Sequence, residues 1–195
     1  AVVNSEGKLL FYCGEPQKTV YMRSSAKPMQ AMCVLESGAV DAYGLTEEEL
    51  AVICSSHSGE SFHVNAIRSI LSKAGLGEEY LQCGVHAPLN EQAAKALEQS
   101  GQAPGQIHNN CSGKHTGMLI TAKHLGESLE DYYQPYHKVQ RRIIEMIAYI
   151  CQYDREKIVI GVDGCGVPVH ALPLYHAAWG AARMACPETL GDRGS

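Results

Sequence analysis

The 195-residue chain lacks several features that identify common classes of protein. Its apolar runs stay well below the roughly 20 residues that a membrane-spanning helix needs, so we expect no transmembrane segment and no membrane partner. The first residues carry no basic stretch followed by an apolar core, which argues against a signal peptide. Lysine and arginine are scattered and the formal net charge is -5, so a nucleic-acid partner is not expected.

Short repeated cysteine spacings are also missing. The eight cysteines stand mostly in apolar stretches, a distribution that favours buried free thiols in a reducing compartment over a disulfide framework. We therefore expect a soluble cytoplasmic protein. With 45% hydrophobic and 19% charged residues, the composition is that of a folded globular chain. The length of residues 1–195 suits a single domain with a sizeable core.

The most informative feature present is a Ser-x-x-Lys spacing, formed by Ser24 and Lys27 directly after a strand-like run. If a helix begins there, both side chains share one face with Cβ atoms about 5–6 Å apart, so hydroxyl and amine can touch. A lysine takes a serine proton near neutral pH only if burial or a nearby cation lowers its pKa. The spacing supplies the nucleophile of penicillin-binding proteins and class A β-lactamases, although it also arises by chance.

Hydrophobic periodicity predicts a mixed α/β fold. Residues 9–13 and 19–22 are strand-like and flank a turn, which predicts a β-hairpin. Residues 51–54 fit either a strand or a buried helix, and residues 157–162 are strand-like. The segment that follows the turn at Pro168, up to residue 186, is typical of a strand followed by a helix. Helical spacing predicts helices over residues 28–40, 62–73, 89–99 and 116–124, and from Pro135 to about residue 151.

Four polar clusters share one property, because each is bounded by glycine or proline and stands where an apolar element ends. Loops of this kind often carry binding and catalytic residues, since a rigid scaffold can present them to one cleft. They are Arg23 to Pro28, Ser55 to Glu60, His108 to His115 and Asp163 to Pro168.

The four clusters contain R-S-S-A-K-P, S-H-S-G-E, H-N-N-C-S-G-K-H and D-G-C-G-V-P. In this order and spacing they resemble the signatures of the Rhizobial-type, or thermolabile, L-asparaginases of the asparaginase II family. The resemblance extends from about residue 9 to residue 186. It implies an α+β fold similar to serine β-lactamases, penicillin-binding proteins and serine glutaminases, with an antiparallel sheet flanked by helices. It also implies a homodimer that hydrolyses L-asparagine to L-aspartate and ammonia.

The resemblance implies catalytic roles for three residues. Ser24 would be the acyl-forming nucleophile, Lys27 the base that takes its proton, and Ser56 a proton relay between the nucleophile and a lysine. Spacing alone instead favours Ser56 as the cap of a helix that begins near Gly59. Attack of the serine on the side-chain carbonyl would release ammonia and leave an acyl-enzyme that water hydrolyses.

The resemblance also implies a zinc ion held by Cys111, Lys114 and Cys165, with water completing its shell. Thiolates are good zinc ligands, whereas a lysine binds a metal only as the neutral amine. Because Cys-x-x-Lys is not a standard zinc signature, spacing alone does not predict this site.

The substrate explains further residues of the clusters, because L-asparagine presents an α-carboxylate, an α-ammonium and a neutral amide. Arg23 suits the carboxylate through a bidentate contact, and Asp163 suits the ammonium. His57, Asn109 and His115 are candidates for additional substrate contacts. For His57 the alternative is a buried structural histidine, and for the other four residues it is a hydrogen bond that stabilises a loop.

Chains of the resembled family are considerably longer, and a second catalytic lysine lies in the part that would follow Ser195. We therefore expect the sequence to be a portion of the enzyme, truncated at both ends. Three alternatives remain open for its function. They are a serine glutaminase or related amidase, a thiol enzyme that uses Cys111 or Cys165, and a non-catalytic zinc-stabilised binding module.

Overall fold

The computed structural model describes residues 1–193 as a mixed α/β structure with two small antiparallel sheets. The strands are β1 (Val2–Val3), β2 (Leu9–Phe11), β3 (Thr19–Tyr21), β4 (Val159–Val162) and β5 (Pro168–Pro173). The α-helices are α1 (Lys27–Glu36), α2 (Ala39–Tyr43), α3 (Glu47–Cys54), α4 (Ser61–Lys73), α5 (Glu91–Gln99), α6 (Ser112–His124), α7 (Lys138–Ile150) and α8 (Leu174–Met184). Short 3-10 helices cover Arg23–Ala26, Glu78–Tyr80, Gln106–His108, Arg155–Lys157 and Pro187–Arg193.

Strand β5 is the centre of the three-stranded sheet, and β3 and β4 pair with it on either side in antiparallel orientation. All six residues of β5 are buried, which accounts for its apolar sequence. The main-chain N–H of Met22 extends the pairing beyond β3 by donating to the carbonyl of His170 at 3.0 Å. The chain therefore leaves the sheet at a fixed point directly before Ser24.

The predicted hairpin between residues 9–13 and 19–22 is wrong. β2 pairs with β1, and β3 pairs with β5 from the far end of the chain. A Cβ on Gly7 would lie 2.8 Å from the ring of Trp179, so the β1–β2 turn packs closely on α8. β5 is fully buried, whereas β2 is short and largely exposed, so β3 pairs with the strand that lies in the core.

The helices lie close to their predicted positions, and the differences have local causes. Residues 51–54, which fit a strand or a helix, form the end of α3. The helix predicted over residues 28–40 is interrupted at Gly38, whose φ of 80° favours glycine. Helix α7 begins after the predicted Pro135, because the ring of His137 accepts a main-chain N–H of its first turn.

Helix α6 forms the centre of the core and is buried from Ser112 to Ala122. It packs against α1, α3, α4 and α7. A Cβ on Gly113 would stand 2.3 Å from the carbonyl oxygen of Val52, so glycine is what permits this close approach to α3. The contact brings the start of α6 next to the end of α3, where two of the four polar clusters lie.

The thiols agree with the expectation of free, mostly buried cysteines. The eight cysteines are free, and five of them are buried. Among the described residues, no helix combines the length and the apolar character needed to cross a membrane.

Candidate active site and thiol cluster

The structure brings the four polar clusters together. The 3-10 turn Arg23–Ala26 links β3 to α1, and loop 55–60 links α3 to α4. The start of α6 and the turn between β4 and β5 complete the group. Contacts described below connect each cluster to at least one other, so residues far apart in sequence form one continuous site.

Ser56 lies between Ser24 and Lys27. Its Oγ is 2.8 Å from Ser24 Oγ and 2.7 Å from Lys27 Nζ. The Lys27 amine also contacts the main-chain carbonyl oxygens of Ser55 at 2.8 Å and Asn110 at 3.1 Å. Burial lowers the pKa of Lys27, and the nearby Cys111 thiol opposes this shift. In these contacts the amine connects to Ser24 through Ser56, rather than directly across a helical face.

The alternative prediction for Ser56 as a helix cap is wrong. Helix α4 begins at Ser61, and Glu60 occupies the cap position. The Ser56 hydroxyl is instead engaged with Ser24 and Lys27.

A second group of side chains lies beside this serine pair. Sulfur atoms of Cys111 and Cys165 and a carboxylate oxygen of Asp163 all lie within 4.8 Å of one another. The Lys114 amine donates to Cys165 Sγ at 3.2 Å and is 3.6 Å from Asp163. Hydrogen bonding between the two thiols lowers the pKa of Cys111 and raises the pKa of Cys165. We call these four residues the thiol cluster.

The thiol cluster offers donors that fit a metal ion. Two sulfur ligands with one carboxylate or amine suit a borderline-soft cation such as Zn²⁺. The depressed pKa of Cys111 favours the thiolate, which is the form that binds metals. The predicted set of Cys111, Lys114 and Cys165 is thus found in one place, together with Asp163, which the sequence had suggested for the substrate ammonium.

Asp163 connects the thiol cluster to the serine turn. Its Oδ1 is 3.0 Å from the guanidinium of Arg23, while its Oδ2 faces Lys114. The side chain of Arg23 is 65% exposed, so the guanidinium remains accessible from solvent. Arg23 has a φ of 50°, which is uncommon for a residue other than glycine. A cation and an anion therefore stand side by side next to Ser24.

Asn109 has both ends of its amide engaged by the main chain. Its Nδ2 donates to the carbonyls of Cys83 at 2.9 Å and Gly84 at 3.2 Å. Its Oδ1 accepts the N–H of Cys111 at 2.9 Å. These contacts favour the alternative in which Asn109 stabilises the loop that leads into α6.

His115 is fully buried and faces the thiol cluster from the core. Its Nδ1 is 2.7 Å from the hydroxyl of Tyr132, which accepts the N–H of Gln82 at 2.9 Å. Burial lowers the pKa of His115, and interaction with the Cys165 thiol opposes the shift. The ring thus lies against Cys165 on the side away from solvent.

Sequence reasoning missed Ser112 and Tyr132. Ser112 stands inside the motif H-N-N-C-S-G-K-H, where its position offered a signal, and its hydroxyl contacts the buried ring of His57. Tyr132 lies outside the four clusters, in a segment rich in tyrosine. Only the folded structure brings Tyr132 against His115.

An open groove of about 680 Å³ lies along α5 and is a less suitable reaction site. Among the described residues that line it, none is serine, cysteine or histidine. Hydrolysis by an acyl-enzyme needs a nucleophile within reach of a base. The chemistry therefore favours the region around Ser24.

A buried lysine connected to serine hydroxyls, beside an exposed arginine and a largely buried aspartate, is an arrangement typical of hydrolytic enzymes. The chain matches the family model of L-asparaginase II over residues 1–194. It therefore belongs to the L-asparaginase II family, as the four motifs predict, and this membership supports an asparagine-hydrolysing amidohydrolase in general. No curated protein matches the chain.

Proposed function

We propose that the protein hydrolyses L-asparagine to L-aspartate and ammonia through a serine acyl-enzyme, with Ser24 as the nucleophile. The observation that carries the proposal is the unbroken hydrogen-bond chain from Ser24 through Ser56 to Lys27. Membership in the L-asparaginase II family supports the substrate class. The three residues act in a site that also holds an exposed arginine and an aspartate.

The carbonyl groups around Lys27 define the direction of proton transfer. Carbonyl oxygens of Ser55 and Asn110 only accept hydrogen bonds, so a neutral amine donates its two hydrogens to them. In the structure the amine donates to Ser56 Oγ, and the Ser56 hydroxyl donates to Ser24 Oγ. With the amine neutral, its lone pair would face Ser56, and both hydroxyls would rotate so that Ser24 donates to Ser56 and Ser56 donates to the amine. Burial lowers the pKa of Lys27 and so favours this neutral starting state.

The reaction follows from this relay. As Ser24 attacks the side-chain carbonyl carbon, its proton moves to Ser56 while the Ser56 proton moves to Lys27. The resulting ammonium returns a proton along the same path to the departing amide nitrogen, which leaves as ammonia. Water then attacks the ester on Ser24, and Ser56 takes the water proton while passing its own to Lys27. The proton returns along this path to Ser24 Oγ as the ester bond breaks. The products are L-aspartate and a free serine.

Substrate recognition can use the charged pair beside the nucleophile. The guanidinium of Arg23 lies 3.0 Å from the carboxylate of Asp163. An α-amino acid carries both opposite charges on one carbon, so its carboxylate can bind Arg23 while its ammonium binds Asp163. Orientation by these two groups would direct the side-chain amide towards Ser24.

We also propose that the thiol cluster binds zinc, held by Cys111 and Cys165 with Lys114 or Asp163 as a further ligand. When bound, the ion supplies a fixed positive charge and a Lewis acid at the edge of the site. The cluster residues stand on two segments, the start of α6 and the β4–β5 turn. Bridging these segments would stabilise the fold around the substrate site.

The zinc proposal predicts about one zinc ion per chain in protein purified without chelators. Replacing both ligands, Cys111→Ser with Cys165→Ser, should lower the bound zinc to a background level, because the thiolates supply most of the binding. Elemental analysis measures this stoichiometry. Cys13→Ser is the matched control, since this thiol is exposed and lies on another part of the chain. Zinc retained at full stoichiometry in the double variant would contradict the site.

The function itself is tested by ammonia release from L-asparagine and L-glutamine with the natural full-length protein. We expect L-asparagine to be preferred by about 10-fold or more, because an extra methylene displaces the amide from the nucleophile when Arg23 and Asp163 hold the α-carbon. Equal or greater turnover of L-glutamine would support the glutaminase alternative. A protein that binds zinc but releases no ammonia from either would support the binding module.

Several broader features remain part of this proposal. We propose that residues 1–195 belong to one domain of the serine β-lactamase type, which works as a homodimer in the cytoplasm. The antiparallel sheet supports the fold, because β3 leads directly into the turn that carries Ser24 before α1.

A further inference from the structure

His57 follows Ser56 in the chain and is buried, with 2% of its surface exposed. Its Nδ1 accepts the main-chain N–H of Gly59 at 3.2 Å, and its Nε2 is 2.8 Å from Ser112 Oγ. The Ser112 hydroxyl in turn donates to the carbonyl of Ile107 at 2.8 Å. The ring therefore contacts both its own loop and the first residue of α6.

These partners determine which nitrogen of the ring carries the hydrogen. The Gly59 N–H can only donate, so Nδ1 of His57 must be the unprotonated acceptor. Because Ser112 gives its hydrogen to a carbonyl, its oxygen accepts the Nε2 hydrogen. Burial and the nearby His63 lower the pKa of His57 to about 4, which agrees with a neutral ring. Both nitrogens are then engaged by the protein.

The ring also joins the two segments that surround the Lys27 amine. Loop 55–60 supplies two of the three oxygen atoms that contact the Lys27 amine, and Asn110, just before α6, supplies the third. The contact between His57 and Ser112 connects these two sides of the lysine site. Losing it would let the loop move relative to α6 and so change the distances along the relay.

We propose that His57 is a positioning residue, which holds Ser56 in hydrogen-bond contact with Ser24 and Lys27 and does not touch the substrate. The proposal rests on the proposed serine mechanism. It differs from the substrate-orienting role that the sequence suggested, and the difference is measurable. A residue that acts only through Ser56 affects kcat, whereas a residue that binds substrate also affects KM.

Two substitutions of His57 differ in whether they keep the contact with Ser112. In His57→Gln the amide nitrogen can replace Nε2 and still donate to Ser112, whereas His57→Asn is too short to reach it. We expect His57→Asn to lower kcat about 10- to 100-fold with KM changed less than about threefold, and His57→Gln to keep most of the activity. His63→Gln is the matched control, because its ring stacks on His57 with centroids 5.2 Å apart. We expect it to stay within about twofold of wild type in kcat.

A double variant tests whether His57 acts through Ser56. If it does, His57→Asn combined with Ser56→Ala should be no slower than Ser56→Ala alone, within about twofold, in single-turnover ammonia release. The proposal would be overturned if the rate loss of the double variant equalled the product of the two single losses. A large rise in KM for His57→Asn would overturn it as well. Thermal unfolding reports whether the variants fold. Should His57→Asn not fold, Ser112→Ala removes the same contact from the α6 side and is expected to lower kcat without raising KM.

The outcomes also separate this proposal from the proposed function. If Ser24→Ala keeps its activity, the serine mechanism itself fails. If Ser24→Ala and Ser56→Ala are inactive while His57→Asn has the kcat of wild type, the mechanism stands and only the positioning role of His57 is refuted.

Discussion

Ser24→Ala should abolish hydrolysis of L-asparagine, with a fall in kcat of at least about 10³-fold, because it removes the nucleophile. The neighbouring Ser25→Ala should keep most of the activity. The structure separates the two hydroxyls clearly, since Ser24 Oγ is 2.8 Å from Ser56 Oγ, while Ser25 Oγ donates to the carbonyl of Met22 at 2.6 Å. Steady-state ammonia release from both variants measures the difference.

The Ser25 variant is the control for local structural damage at this turn. Losing its hydrogen bond should cost about 1 kcal/mol of unfolding free energy, seen as a modest fall in the melting temperature. Mass spectrometry of acid-quenched reactions provides a second measurement, because an aspartyl ester should form on wild type and be missing from Ser24→Ala. Activity lost in Ser25→Ala but retained in Ser24→Ala would reverse the assignment of the nucleophile.

The sequence was sufficient to predict which segments form the site. Glycine and proline mark the ends of apolar elements, and the polar residues between them predicted four loops that the fold brings together. Local spacing could not reveal how the hydroxyls and the amine connect. Ser24 and Ser56 are 32 positions apart, so their contact depends on the packing of α3 and α1 rather than on any helical period.

Strand pairing was the least predictable part of the fold. Residues 9–13 and 19–22 have the pattern of a hairpin, but each has a different partner. β3 pairs with β5 across more than 140 positions, and a pairing of this separation leaves no local pattern in either strand. The burial of β5 between β3 and β4 is a tertiary effect that the sequence of β3 does not contain.

Residue type did not predict which polar groups of the motifs remain exposed and which are engaged by the protein. The side chain of Arg23 is 65% exposed, whereas the Asp163 side chain paired with it is only 10% exposed. Asn109 and His115 belong to the same motif, yet their polar groups contact the main chain and Tyr132. Burial decides between these cases, and burial results from the central position of α6.

Asp163 has two sets of contacts that the sequence did not distinguish. The motif D-G-C-G-V-P places it two positions before Cys165, and the structure gives one carboxylate oxygen to Arg23 and the other to the thiol cluster. A carboxylate has two oxygens, so it can contact a substrate site and a metal site together. This shared residue connects the proposed zinc to the proposed substrate charges.

Lys27→Met should reduce turnover of L-asparagine by at least about 10³-fold, because the relay then has no group to accept the serine proton. Methionine fills a similar volume without the amine. Carbonyl oxygens of Ser55 and Asn110 lose their donor, so we also expect about 1–3 kcal/mol of lost stability. Measuring kcat together with the substrate dissociation constant separates the loss of the base from the loss of binding.

Substrate binding in Lys27→Met should change less than about threefold, since the charges of Arg23 and Asp163 are left in place. Lys123→Met is the matched control, because that amine donates to the carbonyl of Gly75 and has no contact with the relay among the described residues. Turnover of Lys27→Met within tenfold of wild type would mean that a different base takes the proton from Ser24. The lysine would then be a structural group that only satisfies the two carbonyls, and Ser56 would have lost the acceptor that makes it a relay.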